Sequence, residues 1–315
     1  MEILVFGKDG QLGRAFQGQL NNSSFQAGGD ILFVGRSECD LSDLSQVNDI
    51  LINFKPQLII NAAAYTAVDK AETESELAFA INASGPEVMA KYAAEHDATL
   101  LHFSTDYVFD GSKKGAYSEL DKTNPLSIYG KSKEAGERAI FKAFASNSKG
   151  NGKYAVLRTS WVYGDGRNFI KTILRLAKER SALQVIQDQY GVPTSASWLA
   201  ELGIHLVFDE GQLRPFASGI YHAVPQGETN WHGLACLAVQ AALDAGQKLP
   251  TSLATIIPIP ASEYPLPAPR PMNSRLSTQK LQLELKRLGL VSKLPHWDTP
   301  WNEQVITYVN QLTQN

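Results

Sequence analysis

Short apolar runs alternate with amphipathic stretches along the first half of the chain. Ile3–Phe6, Ile31–Val34, Leu58–Asn61, Thr99–Phe103 and Tyr154–Arg158 are strand-like runs dominated by apolar residues. Between them, Gln11–Leu20, Leu44–Phe54, Glu74–His96 and Ser132–Phe144 carry apolar residues at helical spacing. Strands without polar alternation are buried on both faces, which requires helices on either side of a parallel sheet. Right-handed crossovers then give a doubly wound α/β fold.

The second half is less regular. Phe169–Lys178 and Trp198–Phe208 read as helices, and Gly219–Ala223 reads as a strand. Thr229 or Asn230 can cap a helix through Ala245, Ile256–Pro260 is a short strand, and Trp301–Leu312 is a final helix. Tyr264–Pro271 holds four prolines and cannot be regular. The expectation is a dinucleotide-binding domain, 1–165 with 195–228, interleaved with a smaller C-terminal substrate domain, 166–194 with 229–315. The smaller unit would pack over the C-terminal edge of the sheet.

Composition narrows the class. With 315 residues, 43% hydrophobic and 19% charged, the chain is long enough for about two domains and needs no disulfide or metal to fold. A net charge of −3 argues against nucleic-acid binding. No segment approaches the ~20 apolar residues of a membrane span, and Met1–Phe6 does not read as a signal sequence. Cys39 and Cys236 form no CxxC and accompany no histidine cluster, so a reducing cytoplasm is expected and no metal site is placed.

Candidate chemistry begins directly after the first strand. Gly7-Lys8-Asp9-Gly10-Gln11-Leu12-Gly13 joins strand to helix. There glycines permit a tight turn and a pyrophosphate can meet free N–H groups at the helix N-terminus. The second strand ends Val34-Gly35-Arg36-Ser37, where an NAD-preferring fold usually carries an acid for the ribose hydroxyl. Arg36 suits a 2′-phosphate instead, so NADPH is expected over NADH. Asp40 serves either the adenine edge or the cap of the next helix.

Tyr129 and Lys133 form a YxxxK pair, i and i+4 on one helix face. The pair alone is a weak signal. The fourth strand, however, runs into Ser104-Thr105-Asp106 at its C-terminal end, where ligands bind in open α/β sheets. Hydroxyl, phenol and ammonium beyond a dinucleotide turn fit proton transfer coupled to hydride transfer at a carbonyl. The Lys133 ammonium and a cationic oxidised nicotinamide are expected to draw the Tyr129 pKa down from its ordinary value near 10.

These motifs resemble the extended short-chain dehydrogenase/reductase family and its Rossmann-like fold. The similarity continues through Asn61–Glu72, Ser104–Gly111, Arg158–Gly164, Asp188–Thr194 and Arg270–Leu276. It implies a nucleotide-sugar reductase acting at the C4 keto group of dTDP-4-dehydro-L-rhamnose. Thr105, Tyr129 and Lys133 would be the catalytic set, with Tyr129 and Lys133 also touching the cofactor. Ala63 and Ala64 would lie against the cofactor, and Val68, Asp106 and Trp161 against the sugar. Arg270 and Arg275 are candidates to clamp the diphosphate.

Some members of the family are paired by Mg²⁺ held by glutamates. Here the first helix continues Arg14-Ala15-Phe16 without an acid, so the sequence does not support Mg²⁺, and either a monomer or a homodimer is compatible. Dehydrating relatives carry Asp-Glu after the threonine, whereas Thr105 is followed by Asp106-Tyr107. The alternatives are an epimerase or reductase of another nucleotide 4-keto-sugar, and a non-catalytic dinucleotide-binding regulatory subunit.

Overall fold

The computed structural model describes residues 1–21, 28–147, 149–209, 211–294 and 296–314. Six parallel strands form the central sheet: β1 (Ile3–Phe6), β2 (Ile31–Val34), β3 (Leu58–Asn61), β4 (Thr99–Thr105), β5 (Lys153–Thr159) and β6 (Gly219–His222). Their order is β2-β1-β3-β4-β5-β6. Successive crossovers therefore leave β1 in opposite directions, first to β2 and then to β3. In doubly wound sheets the crevice at such a reversal is the ligand site.

The continuous apolar strands have the cause inferred from the sequence. Ile3, Val5, Leu58, Ile60, Leu101 and Phe103 point into one core layer with Phe16 and Leu199. Leu4, Phe6, Ile59 and Leu100 point into the other, with Val47, Leu51, Met89 and Ile140. Alternate residues of each strand thus enter opposite layers, and both layers are apolar. Helices α1 (Gln11–Leu20), α2 (Leu44–Phe54), α3 (Gly85–Glu95) and α4 (Ile128–Ser146) cover the sheet. The Asp43 carboxylate accepts from the Ser45 and Gln46 N–H groups and caps α2, so this cap does not fall to Asp40.

One expected element differs in a way that shapes the site. The single helix expected over Glu74–His96 is broken into Ser75–Phe79, a π-helical turn at Ala80–Ser84, and α3. The wider turn places Asn82, which is buried, against its neighbours. Its side chain accepts from Tyr65 N at 2.8 Å and donates to the Tyr65 carbonyl and Ser132 Oγ, each at 3.0 Å. A buried amide with three partners pins the loop after β3 to α4. Helix α4 begins just ahead of Tyr129, as the YxxxK pair requires, because Ser127 caps it, accepting from Gly130 N at 3.2 Å.

Further along, α5 (Phe169–Glu179), α6 (Ala196–Val207), α7 (Trp231–Asp244), α8 (Gln279–Arg287) and α9 (Trp301–Gln314) complete the chain. Asn230 caps α7, accepting from Gly233 N at 2.7 Å. Ile170, Leu174, Leu234, Ala238, Val305 and Val309 form a separate apolar cluster. Leu281, Leu285, Leu290 and Leu294 instead join the layer beneath the sheet with α6. Tyr264–Pro271 forms neither helix nor strand.

Candidate active site

The C-terminal ends of β1, β3, β4 and β5 open into one cleft of about 920 Å³. Gly7, Gly10, Gln11 and Leu12 line one end, facing Ala63 and Ala64. Gly7 has φ +87°, and a Cβ there would lie 2.6 Å from Ala63 N. A Cβ on Gly13 would strike the Gly7 carbonyl, so Gly13 works from behind the turn by letting α1 seat on β1. No side chain caps α1 at Gly10. Its first N–H groups therefore face the cleft with the positive end of the helix dipole. A turn this tight, with open amides, fits a dinucleotide pyrophosphate.

Arg36 and Asp40 line the same end beyond β2. Arg36 Nε lies 3.3 Å from Asp40 Oδ2, and the arginine side chain is 75% exposed, so its guanidinium is accessible from solvent. Asp40 accepts from both N and Oγ of Ser42, and these bonds, with Arg36, hold its carboxyl below the usual range.

At the other end, β4 delivers Ser104, Thr105 and Asp106, and the first two turns of α4 deliver Tyr129 and Lys133. Thr105 Oγ1 donates to Asp106 Oδ1 at 3.0 Å and accepts from Tyr107 N at 3.2 Å, in the same cleft wall as Tyr129. Val68 and Trp161 border this end. Trp161 has φ +47°, an unusual conformation for a bulky residue, and stacks on Trp231 with ring centroids 3.7 Å apart. Ser104 Oγ, Thr159 Oγ1 and Asp106 Oδ2 are buried in the cleft wall without a hydrogen-bond partner among the described residues. Buried polar atoms are rarely left so, and these three suit the polar groups of a bound ligand.

The electrostatics depart from the sequence expectation at one point. Burial pushes the Tyr129 hydroxyl up to about 12, although the Thr105 hydroxyl works the other way. Lys133 does not oppose this, because its Nζ donates to the Phe103 carbonyl at 2.6 Å and lies 3.3 Å from His102 Nε2. Burial also lowers Lys133, to about 8. Without a bound cation, the phenol is thus held firmly in its protonated form. Burial raises Asp106 to about 6.

Arg270 and Arg275 are not among the cleft-lining residues. Arg270 makes a bidentate pair with Asp69, at 3.0 and 2.9 Å, and also donates to the Ala268 carbonyl. Arg275 reaches Glu228 at 3.3 Å, Asn273 Oδ1 at 2.8 Å and the Lys114 carbonyl at 2.7 Å. Several neighbours of the site escaped the sequence reading. Asn82 was hidden by the π turn, and Trp231 is distant in sequence from the tryptophan it stacks on. Asn61 and His102 left a readable sign: polar residues inside otherwise apolar strands.

Comparison with known proteins places this arrangement. The family model described as "RmlD substrate binding domain" matches residues 1–311. A dTDP-4-dehydrorhamnose reductase of Salmonella typhimurium is 44% identical, with 95% of each chain aligned. A protein of the same description from Escherichia coli strain K12 is 43% identical, with 94% of each chain aligned. Among solved structures, a dTDP-4-dehydrorhamnose reductase of Clostridium acetobutylicum superposes with a TM-score of 0.84, 34% identity and 99% of each chain. One from Bacillus anthracis, in complex with NADP, gives 0.81, 31% and 99% of each chain.

Proposed function

Because the chain belongs to the RmlD substrate binding domain family and is an oxidoreductase, we propose that it reduces the C4 ketone of dTDP-4-dehydro-L-rhamnose to dTDP-L-rhamnose, with NADPH as the preferred reductant. The observation that carries this reading is that Thr105, Tyr129 and Lys133 line the same cleft as the glycine turn.

A nicotinamide dinucleotide, held along Gly7, Gly10, Gln11, Leu12, Ala63 and Ala64, supplies hydride. The chain's own groups handle the oxygen. Thr105 holds the ketone oxygen beside the phenol, and Tyr129 transfers its proton to that oxygen as charge develops there. A phenol raised to about 12 is a weak acid at rest. A cation bound beside it favours the phenolate and strengthens the acid at the moment of transfer. Lys133, directed by Phe103 and His102, fixes the helix face on which the phenol sits.

Val68, Asp106 and Trp161 border the sugar. Arg275 is better placed than Arg270 to exchange partners for a diphosphate, since its contact with Glu228 is long and that carboxylate is 56% exposed. NADPH preference rests on Arg36, whose planar fork suits a 2′-phosphate. The chain works as a monomer or homodimer in the cytoplasm on this reading, with Mg²⁺ not required.

The reading is tested by following NADPH absorbance with dTDP-4-dehydrorhamnose and identifying the product by NMR. One dinucleotide oxidised per dTDP-L-rhamnose formed is expected. A changed sugar with no net oxidation would mean epimerisation. Binding without turnover would mean a regulatory subunit.

A further inference from the structure

Lys133 is served by a buried chain of hydrogen bonds whose donor and acceptor roles are not free. Ala63 N donates to Asn61 Oδ1 at 3.2 Å. That bond fixes the orientation of the Asn61 amide, so its Nδ2 faces His102 Nδ1 at 3.0 Å. An amide NH₂ only donates, so Nδ1 accepts and the imidazole proton sits on Nε2. Nε2 in turn faces Lys133 Nζ at 3.3 Å. Asn61, His102 and Lys133 are all buried, so water cannot substitute for a missing partner.

An N–H on Nε2 needs an acceptor, and a lysine offers one only as the neutral amine. The bonds present are therefore those of uncharged Lys133, which donates to the Phe103 carbonyl and accepts from His102. An ammonium has three donors and no acceptor. Once Lys133 is charged, Nε2 must accept, the imidazole proton must sit on Nδ1, and Asn61 must turn its oxygen towards it. The Ala63 N–H then loses its partner. Ala63 forms the cleft wall against which Gly7 packs.

We propose that His102 is a positioning residue that couples the charge on Lys133 to the Asn61–Ala63 turn of the cofactor wall by exchanging one neutral tautomer for the other. The proton balance is simple. Lys133, which lines the cleft, gains one proton from solvent, and the single imidazole proton moves from Nε2 to Nδ1, so the imidazole stays neutral and the lysine carries the charge. Burial and the neighbouring Lys133 hold His102 well below its usual pKa, consistent with an imidazole neutral throughout. The other charges near Lys133 are Glu137, one turn further along α4, and Arg158, which pairs with Glu137 at 2.6 Å.

This device extends the reductase reading, but its test uses cofactor-free protein without substrate, so the two stand or fall separately. ¹⁵N-ring-labelled histidine spectra, assigned sequentially, are recorded from pH 6 to 10. The His102 signals should change from the Nδ1–H to the Nε2–H pattern near pH 8, in step with the Lys133 ¹⁵Nζ titration. A single tautomer throughout, or an imidazolium pattern, overturns the proposal. Asn61→Asp, which can only accept, should lock the Nδ1–H form and move the lysine titration upward. A variant that folds and keeps the native change also overturns it.

Discussion

Gly7 and Ala63 meet backbone to backbone across the point where the sheet reverses direction. A Cβ on Gly7 would stand 2.6 Å from Ala63 N, at a φ of +87°. The contact joins the ends of β1 and β3, and the dinucleotide end of the cleft is built on it. Gly7→Ala should therefore abolish dinucleotide binding, measured by calorimetry. Strain at the left-handed φ should also lower stability by about 1–3 kcal/mol in urea titrations. Native affinity in the variant would show that the turn does not hold the cofactor.

Thr105 donates to Asp106 and lines the cleft with Tyr129. Thr105→Val keeps the shape and removes the hydroxyl, and should lower kcat by roughly 10–10³-fold. Thr105→Ser should recover most of the loss. Equal damage from both substitutions would assign the residue to packing.

Arg36 tests the cofactor choice. If its guanidinium holds a 2′-phosphate, Arg36→Ala should weaken NADPH binding by about tenfold or more, the worth of a charge-assisted hydrogen bond, and leave NADH binding little changed. Equal losses for both dinucleotides would remove the basis for NADPH preference.

Asp106 gives a pH signature. Its folded pKa, raised by burial from 3.8 to about 6, favours the protonated carboxyl. A raised pKa contributes stability below the unfolded value, and the contribution is lost as pH rises through the folded one. Over that window the native protein should lose about 2–3 kcal/mol relative to Asp106→Asn. Urea titrations at intervals from pH 3.5 to 7.5 measure the difference. Parallel stability curves would contradict a neutral buried carboxyl.

Much of this architecture was legible in the chain because its strands are covered on both faces. Ile3–Phe6 and Leu58–Asn61 could hardly belong to a half-exposed sheet, and the glycine turn follows the first of them directly. The break at Ala80–Ser84 was not legible, since a π turn preserves helical composition and alters only which face Asn82 occupies. The start of α4 at Tyr129 was legible to within one residue, although its apolar spacing begins only further on. The engagement of Arg270 by Asp69 lay beyond reach because it joins residues 201 apart in sequence. The direction of the Lys133 amine was not legible either: helix spacing places it on the same face as Tyr129, but only tertiary packing turns it towards Phe103 and His102.

The central claim is that Tyr129 delivers the proton that completes ketone reduction. Tyr129→Phe keeps the ring and removes only the acid. In single-turnover reactions with NADPH and dTDP-4-dehydrorhamnose, the variant's rate should fall by about 10²–10⁴-fold while dinucleotide affinity is retained. A rate within about tenfold of the native protein's would contradict the account, because a positioned acid contributes more than that.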